Sequence, residues 1–213
     1  EPLLIATMRF LLSHPLNRGR TFSTLGRYLK WQIESRFRDV VTFEWLAGAR
    51  LMVRHGMTGA TGNVYCGLHE FVEMAFLLHL LRPDDLFLDI GANVGMYTIW
   101  AARTRGVRTY AFEPESQNYA LLCRNIVMND LGASTVAYCL ALSDVASYSL
   151  LHLSEFQLGG SCHTFGTSVD HRLEPRDSRL AQGCVSTTLD AFEASGAMPQ
   201  PHHIKIDVDG LEH

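Results

Sequence analysis

Residues 86–102, LFLDIGANVGMYTIWAA, decide the fold. Leu86-Phe87-Leu88 and Ile90 make a run with no polar face, which suits a strand buried on both sides of a parallel sheet. Gly91 then gives the backbone freedom for a sharp turn and a close approach to a ligand. The stretch VGMYTIWAARTR reads as the helix that follows, and its first turn would offer unpaired N–H groups. In an open parallel sheet, ligands sit outside the carboxyl ends of the strands. Asp89 stands at such an end, so it is expected to face a ligand carrying positive charge or hydrogen-bond donors.

The spacing separates two ligand classes. Gly91 and Gly95 form G-x-x-x-G, without the closely spaced second glycine of the dinucleotide turn G-x-G-x-x-G. An acid two residues before the turn would also repel a pyrophosphate. The next strand, RTYAFEP, ends in Glu113, where a carboxylate can accept both hydrogen bonds of a ribose diol. A ligand with a ribose, a cationic or donor-rich tail and no phosphate fits best.

Working outward, the alternation continues: SQNYALLCRNIVMND is a helix with Ser116 as its expected N-cap, and STVAYCLALS is a third strand. CVSTTLDAFEAS gives a short strand and a helix opened by Thr187 or Thr188, and HHIKIDVDG a further buried strand. Such alternation implies parallel strands with crossover helices. Residues 153–183 show no period and are expected to form a long functional loop or small insertion that binds an acceptor, with His163 and Arg172 foremost.

On the amino-terminal side, residues 1–16 read as an amphipathic helix with Pro2 in its first turn. Residues 21–38 read as a second helix, its apolar face formed by Leu25, Tyr28, Leu29, Ile33 and Phe37. Residues 40–54 alternate as a hairpin turning near Ala47-Gly48, HGMTGATGN is a small-residue loop, and residues 67–81 are a helix stopped before Pro83. The first residue is not Met, which suggests a fragment; the short apolar run there is broken by Arg9 and is neither a membrane span nor a signal peptide.

The chain of 213 residues is 47% hydrophobic and 19% charged, with a net charge of −4. That balance gives no long-range attraction for nucleic acid or an anionic membrane. Five scattered cysteines without a CxxC pair fit reduced thiols and a cytoplasmic protein, with Cys123 and Cys139 expected in the core. HEFVE at 69–73 is not the zinc motif HExxH, because position 73 is Glu. Adjacent His202 and His203 would point apart in a strand. Trp31 and Trp45 are candidates for lining an acceptor pocket, and Trp100 for packing.

The stretches FLDIGANVGMYT, YAFEPESQNYALLCRNIVMN, VSTTLDAF and IKIDVDGLE resemble, in order and spacing, the FkbM-type S-adenosylmethionine-dependent methyltransferases. The resemblance covers residues 65–213. It implies an α/β, doubly wound, mostly parallel Rossmann-like sheet of the class I methyltransferase type, with residues 1–64 as a helical and hairpin extension. It implies methyl transfer to a hydroxyl oxygen of a sugar or natural-product-like small molecule, with S-adenosyl-L-methionine as cofactor. By motif, Asp89, Gly91, Ala92, Asn93 and Gly95 would contact the methionine end and Glu113 the ribose, with Asn118 assisting. Ala141 and Leu142 would lie near the adenine, and Glu70 matches an acidic position that reaches the cofactor. A hydroxyl is a poor nucleophile, so a base is needed. Asp207, Asp209 and His163 are the expected catalytic residues, with Glu212, His213 and His171 as further candidates. A divalent metal held by Asp207 and Asp209 is the alternative route.

The chain stops at IDVDGLEH, after the fourth core strand, whereas the class I fold continues with a fifth strand, a helix and an antiparallel hairpin. The expectation is that these strands are missing from this chain. Homo-oligomer formation would then run through the exposed sheet edge or the amino-terminal helices. The competing functional class is a catalytically silent, cofactor-binding scaffold.

Overall fold

The computed structural model describes residues 3–153, 163–166 and 180–208. At its centre lies a parallel sheet of four strands, β3 (Leu86–Ile90), β4 (Arg108–Phe112), β5 (Thr135–Tyr138) and β10 (His203–Ile206), in the order β10-β3-β4-β5. All five residues of β3 are buried, as its unbroken apolar run demands. The α/β class and the parallel sheet expected from the sequence are present.

Helices α5 (Met96–Arg105) and α6 (Ser116–Met128) connect these strands. Six consecutive residues of α5, Tyr97 to Ala102, are buried, because the helix is enclosed by the sheet on one side and the amino-terminal elements on the other. Those elements are α1 (Leu3–Ser13), α2 (Thr21–Phe37), the hairpin of β1 (Val41–Glu44) and β2 (Arg50–Val53), α3 (Thr58–Cys66) and α4 (Phe71–Leu80). Leu11, Trp31, Leu51 and Met57 share one hydrophobic cluster with Trp100 and Leu122. Asn125 of α6 and the C-cap residue Asn129 tie β2 to the sheet layer: Asn125 Oδ1 accepts from Met52 N (2.9 Å), and Asn129 Oδ1 from Arg50 N (2.7 Å).

Three local expectations change. The stretch HGMTGATGN is not a loop throughout, since α3 begins at Thr58. Glu115, not Ser116, caps α6, because its carboxylate accepts from both Gln117 N and Asn118 N. The apolar positions of α2 face the core only in part: Tyr28 packs against it and Leu25 is partly buried, but Leu29, Ile33 and Phe37 are exposed, while Thr24, Trp31 and Ser35 are buried. Polar anchors set that face. The Arg27 guanidinium donates to Tyr65 O (2.8 Å) and Asn17 Oδ1 (2.7 Å), and Gln32 donates to the Tyr65 hydroxyl (3.1 Å).

A second four-stranded sheet, in the order β6-β9-β7-β8, stands beside the first. It comprises β6 (Ala141–Leu142), β7 (Ser147–Leu153), β8 (Thr164–Phe165) and β9 (Leu180–Thr187). The segment 153–183 is thus entered and left by antiparallel strands, although its interior at 154–162 and 167–179, with Arg172 and His171, lies outside the described residues. Thr188 caps α7 (Leu189–Ala194) through a bond from Ala191 N (3.0 Å). Cys139 is exposed and Cys123 partly buried, so neither is the core thiol expected. Trp31 and Trp45 are buried in the amino-terminal core and do not line the cavity at the strand ends. Among the described residues, no helix is long and apolar enough to cross a membrane.

Candidate functional site

The carboxyl ends of β3 and β4 converge on Glu113. Gly91 (φ 73°) and Asn93 (φ 51°) hold left-handed backbone angles, which turn the chain so that Gly91 N and Ala92 N both donate to Phe112 O at 3.0 Å. The turn thereby presents Asn93 N to Glu113 Oε2 at 2.7 Å, while Glu115 N donates to Glu113 Oε1 at 2.9 Å. Glu113 is 5% exposed, yet it lines a cavity at these strand ends. Burial pushes its carboxyl up to about 7, against the opposing pull of those two backbone donors. Each oxygen keeps a further lone pair for a ligand hydroxyl.

Asp89 behaves differently from the expectation. It is 0% exposed and does not line the cavity, because the protein itself supplies the cation. Lys205 Nζ sits 3.1 Å from Asp89 Oδ1, and Thr98 Oγ1 donates to Asp89 Oδ2 at 2.6 Å. The same ammonium donates to Gly91 O (3.1 Å), lies 3.5 Å from Asp207 Oδ2 and stands 5.1 Å over the Tyr97 ring. Burial opposes its charge, but Asp89 and Asp207 win and hold Lys205 above its ordinary value. Gly95 is also a packing residue rather than a contact: a Cβ there would meet Leu122 Cδ1 at 2.6 Å. At Gly91 a Cβ would lie 1.9 Å from the Asp207 carbonyl oxygen, so that glycine is required by β10 as well as by the turn.

The cavity at these strand ends has a volume of about 560 Å³, within the usual span for a small-molecule site. It brings together Glu70, Gly91, Ala92, Asn93, Glu113, Asn118, Ala141, Leu142, His163 and Asp207 of the residues expected from the sequence. Asp209, Glu212 and His213 lie outside the described residues. Glu70 accepts from the Tyr97 hydroxyl at 2.5 Å. Burial is the first cause raising the Tyr97 phenol above its ordinary value, and the Glu70 bond the second. Tyr97, Lys205, Asp144 and Leu151 were not anticipated on the wall, whereas Phe165 belongs to the segment 153–183 expected to serve an acceptor. Lys205 could have been found: it is a cation between isoleucines in IKID, beside the same strand end as Asp89. Nothing in the local pattern announced Leu151.

Among the described residues, four carboxylates on this wall, Glu70, Glu113, Asp144 and Asp207, stand against one ammonium, Lys205. The cavity therefore favours cationic or hydrogen-donating ligands over polyanions.

A family model described as the methyltransferase FkbM domain matches residues 89–213. The chain belongs to the FkbM methyltransferase domain family. A curated relative, the 31-O-demethyl-FK506 methyltransferase FkbM of Streptomyces tacrolimicus, is 39% identical over 79 residues, or 36% of this chain and 30% of the relative. The chain thus spans under a third of the length of that relative. Among solved structures, P. horikoshii TYW2 in complex with MeSAdo aligns with a TM-score of 0.41 and 19% identity, covering 48% of this chain and 36% of that one. A SAM-dependent methyltransferase from Agrobacterium tumefaciens aligns with a TM-score of 0.38 and 12% identity, covering 48% and 32%.

The match of the FkbM domain begins at Asp89, so α3 and α4 lie before it, although Met57, Gly59, Ala60 and Glu70 line the cavity. In this member of the family, residues before the matched domain are therefore part of the cavity wall. Among the described residues, no three His, Cys, Asp or Glu side chains gather as a metal-binding group. His69 instead packs edge-on against Phe10, with ring centroids 5.3 Å apart.

Proposed function

We propose that this protein is an S-adenosylmethionine-dependent methyltransferase acting on a hydroxyl of a small molecule. The carrying observation is Glu113, a buried carboxylate at the end of the second parallel strand, held by two backbone donors and open to an acidic cavity. Two ribose hydroxyls would complete its hydrogen bonding. The excess of carboxylates suits a ligand with an ammonium and a sulfonium and disfavours the pyrophosphate of a dinucleotide. Membership of the FkbM family supports the same reading.

S-adenosylmethionine, when bound, supplies an activated methyl group. The chain's own work is then alignment and charge. Glu113 fixes the ribose, while Glu70 stands as the carboxylate toward the ammonium and sulfonium. Lys205 neutralises Asp89 beneath the turn and keeps Gly91 O in place. An acceptor hydroxyl must lose its proton on methylation, and Asp207, whose side chain is 55% exposed at the cavity, is the proposed proton acceptor. A sugar or natural-product hydroxyl as the methylated group, and a cytoplasmic location, belong to the same proposal.

Titration calorimetry with S-adenosylhomocysteine and with NAD tests the cofactor. Binding of the first and not the second is expected; the reverse would assign the cavity to a dinucleotide.

A further inference from the structure

Helix α2 carries two opposite faces with the same spacing. Thr24, Trp31 and Ser35 are buried against the body of the protein, and two residues before each of them stand Phe22, Leu29 and Ile33, all exposed. Two residues of a helix turn through about 200°, so the row Phe22, Leu29, Ile33 and Phe37 runs along the face turned away from the core. The row is about 22 Å long. Its end residues, Phe22 and Phe37, are 92% and 83% exposed. Single exposed apolar side chains are ordinary, but a continuous row of them marks a contact surface.

The charges around the row point to what it contacts. Lys30 and Arg36 fall on its two flanks, Arg18 and Arg20 precede the helix, Arg38 follows it, and all of these are exposed. Residues 3–38 hold seven Arg and Lys and one acid, Glu34, whereas the whole chain has a net charge of −4. The acidity that was expected to deny an anionic membrane any attraction is therefore confined to the rest of the chain. Glu34 lies 3.9 Å from Lys30, in an exposed pair that leaves the other cations uncompensated along the helix.

We infer that α2 is a docking surface for an anionic lipid bilayer. It lies along the membrane, with Phe22, Leu29, Ile33 and Phe37 among the acyl chains and the flanking Arg and Lys among the phosphates. A helix with Phe and Leu on one face and cations beside them binds a membrane in this way. Other occupants match less of the surface. A nucleic-acid backbone would meet the cations but leave the apolar row in water. A second copy docked by two-fold symmetry would set one cationic rim against another. A protein groove would have to be shaped to the row, whereas a bilayer offers acyl chains and phosphates along its whole length. None of these residues lines the strand-end cavity, so the inference stands apart from the cofactor reading.

The test is flotation of the 213-residue chain with vesicles of phosphatidylcholine alone and of an equimolar mixture with phosphatidylglycerol. The chain is expected to float with the mixed vesicles, to stay behind with the neutral ones, and to be released as salt is raised. Each cation near an anionic surface is worth about fivefold in partitioning, so Lys30→Gln with Arg36→Gln is expected to lower the partition coefficient about thirtyfold. Leu29→Gln with Ile33→Gln is expected to lower it by about tenfold or more. All four positions are exposed and Gln is a good helix former, so the melting temperature should stay near that of the unmodified chain. An unmodified chain that ignores the mixed vesicles overturns the inference, as does binding that survives both pairs of substitutions. Sedimentation velocity without lipid separates the second-copy alternative. A dimer that Leu29→Gln with Ile33→Gln dissociates would assign the row to self-association and overturn the bilayer.

Discussion

At the scale of single residues, Glu113 concentrates the chemistry of the site, and its protonation is a handle on it. Its carboxyl is pushed up to about 7 by burial, whereas its ordinary value lies near 4.5. Ribose hydroxyls donate to the ionised form, so binding should strengthen as pH rises through about 7 and weaken below it. His163 also faces the cavity, so the comparison must be made with Glu113→Gln, in which this part of the pH dependence should vanish. Calorimetric affinities for S-adenosylhomocysteine at pH 6 and pH 8 measure it; parallel pH profiles in the two proteins would remove Glu113 from the ribose. Gly91 gives a second prediction. A Cβ at φ 73° and 1.9 Å from Asp207 O strains the turn and displaces the end of β10. Gly91→Ala should therefore cost about 2–4 kcal/mol of stability as well as cofactor binding. Thermal unfolding with circular dichroism checks this, and a normal melting curve would mean that β10 yields easily. Both residues were legible from the sequence, because a glycine after an apolar run and an acid at the next strand end carry local signals. The state of Asp89 was only partly legible: Lys205 shows as a cation between isoleucines, but the register of β10 on β3 that sets it opposite Asp89 is not written locally.

At the scale of elements, that pairing is held at both ends by side chains. His202 Nδ1 accepts from Leu86 N at 2.8 Å where the strands begin, and Lys205 joins Asp89 to Asp207 where they end. Removing Lys205 would leave a fully buried carboxylate without its cation. Lys205→Met should thus destabilise the protein by about 3–5 kcal/mol, and Asp89→Asn in the same chain should restore much of the loss. Urea unfolding of the two single variants and the double variant gives the coupling; strictly additive losses would show that the ion pair contributes nothing specific. The strands of the parallel sheet were legible because burial on both faces writes an apolar run into each. The second sheet was not. In SYSLLHL only alternate residues are buried, the two strand ends nearest the cavity are short, and the bonds that place them, from Gln182 to Pro114 and Ser116, join residues far apart in sequence. The face of α2 was legible only in part for a related reason: Tyr28 meets the Tyr65 ring at 5.3 Å as the apolar spacing predicts, but side-chain hydrogen bonds from Arg27 and Gln32 to Tyr65 also orient the helix and leave no apolar pattern.

At the scale of the whole molecule, the distribution of apolar surface points to self-association. Register places Ile204 opposite Leu88 and Ile206 opposite Ile90, so both isoleucines continue the face that α7 and Met198 cover over β3 and β4. They are nevertheless 46% and 49% exposed, because among the described residues the cover ends before β10. Among the described residues, β10 is an edge strand with no partner on its outer side. An edge that offers unpaired backbone groups beside exposed apolar side chains is a template for another strand. The 213-residue chain should therefore form dimers or larger species as its concentration rises. Charges on an edge strand oppose such pairing, and Ile204→Lys with Ile206→Lys adds two without touching Glu113 or the turn at Gly91. Sedimentation velocity over a concentration series separates the outcomes. The doubly substituted chain should remain monomeric where the unmodified chain associates. If both associate equally, the contact is made elsewhere, and the exposed row Leu29, Ile33 and Phe37 of α2 becomes the surface to substitute next.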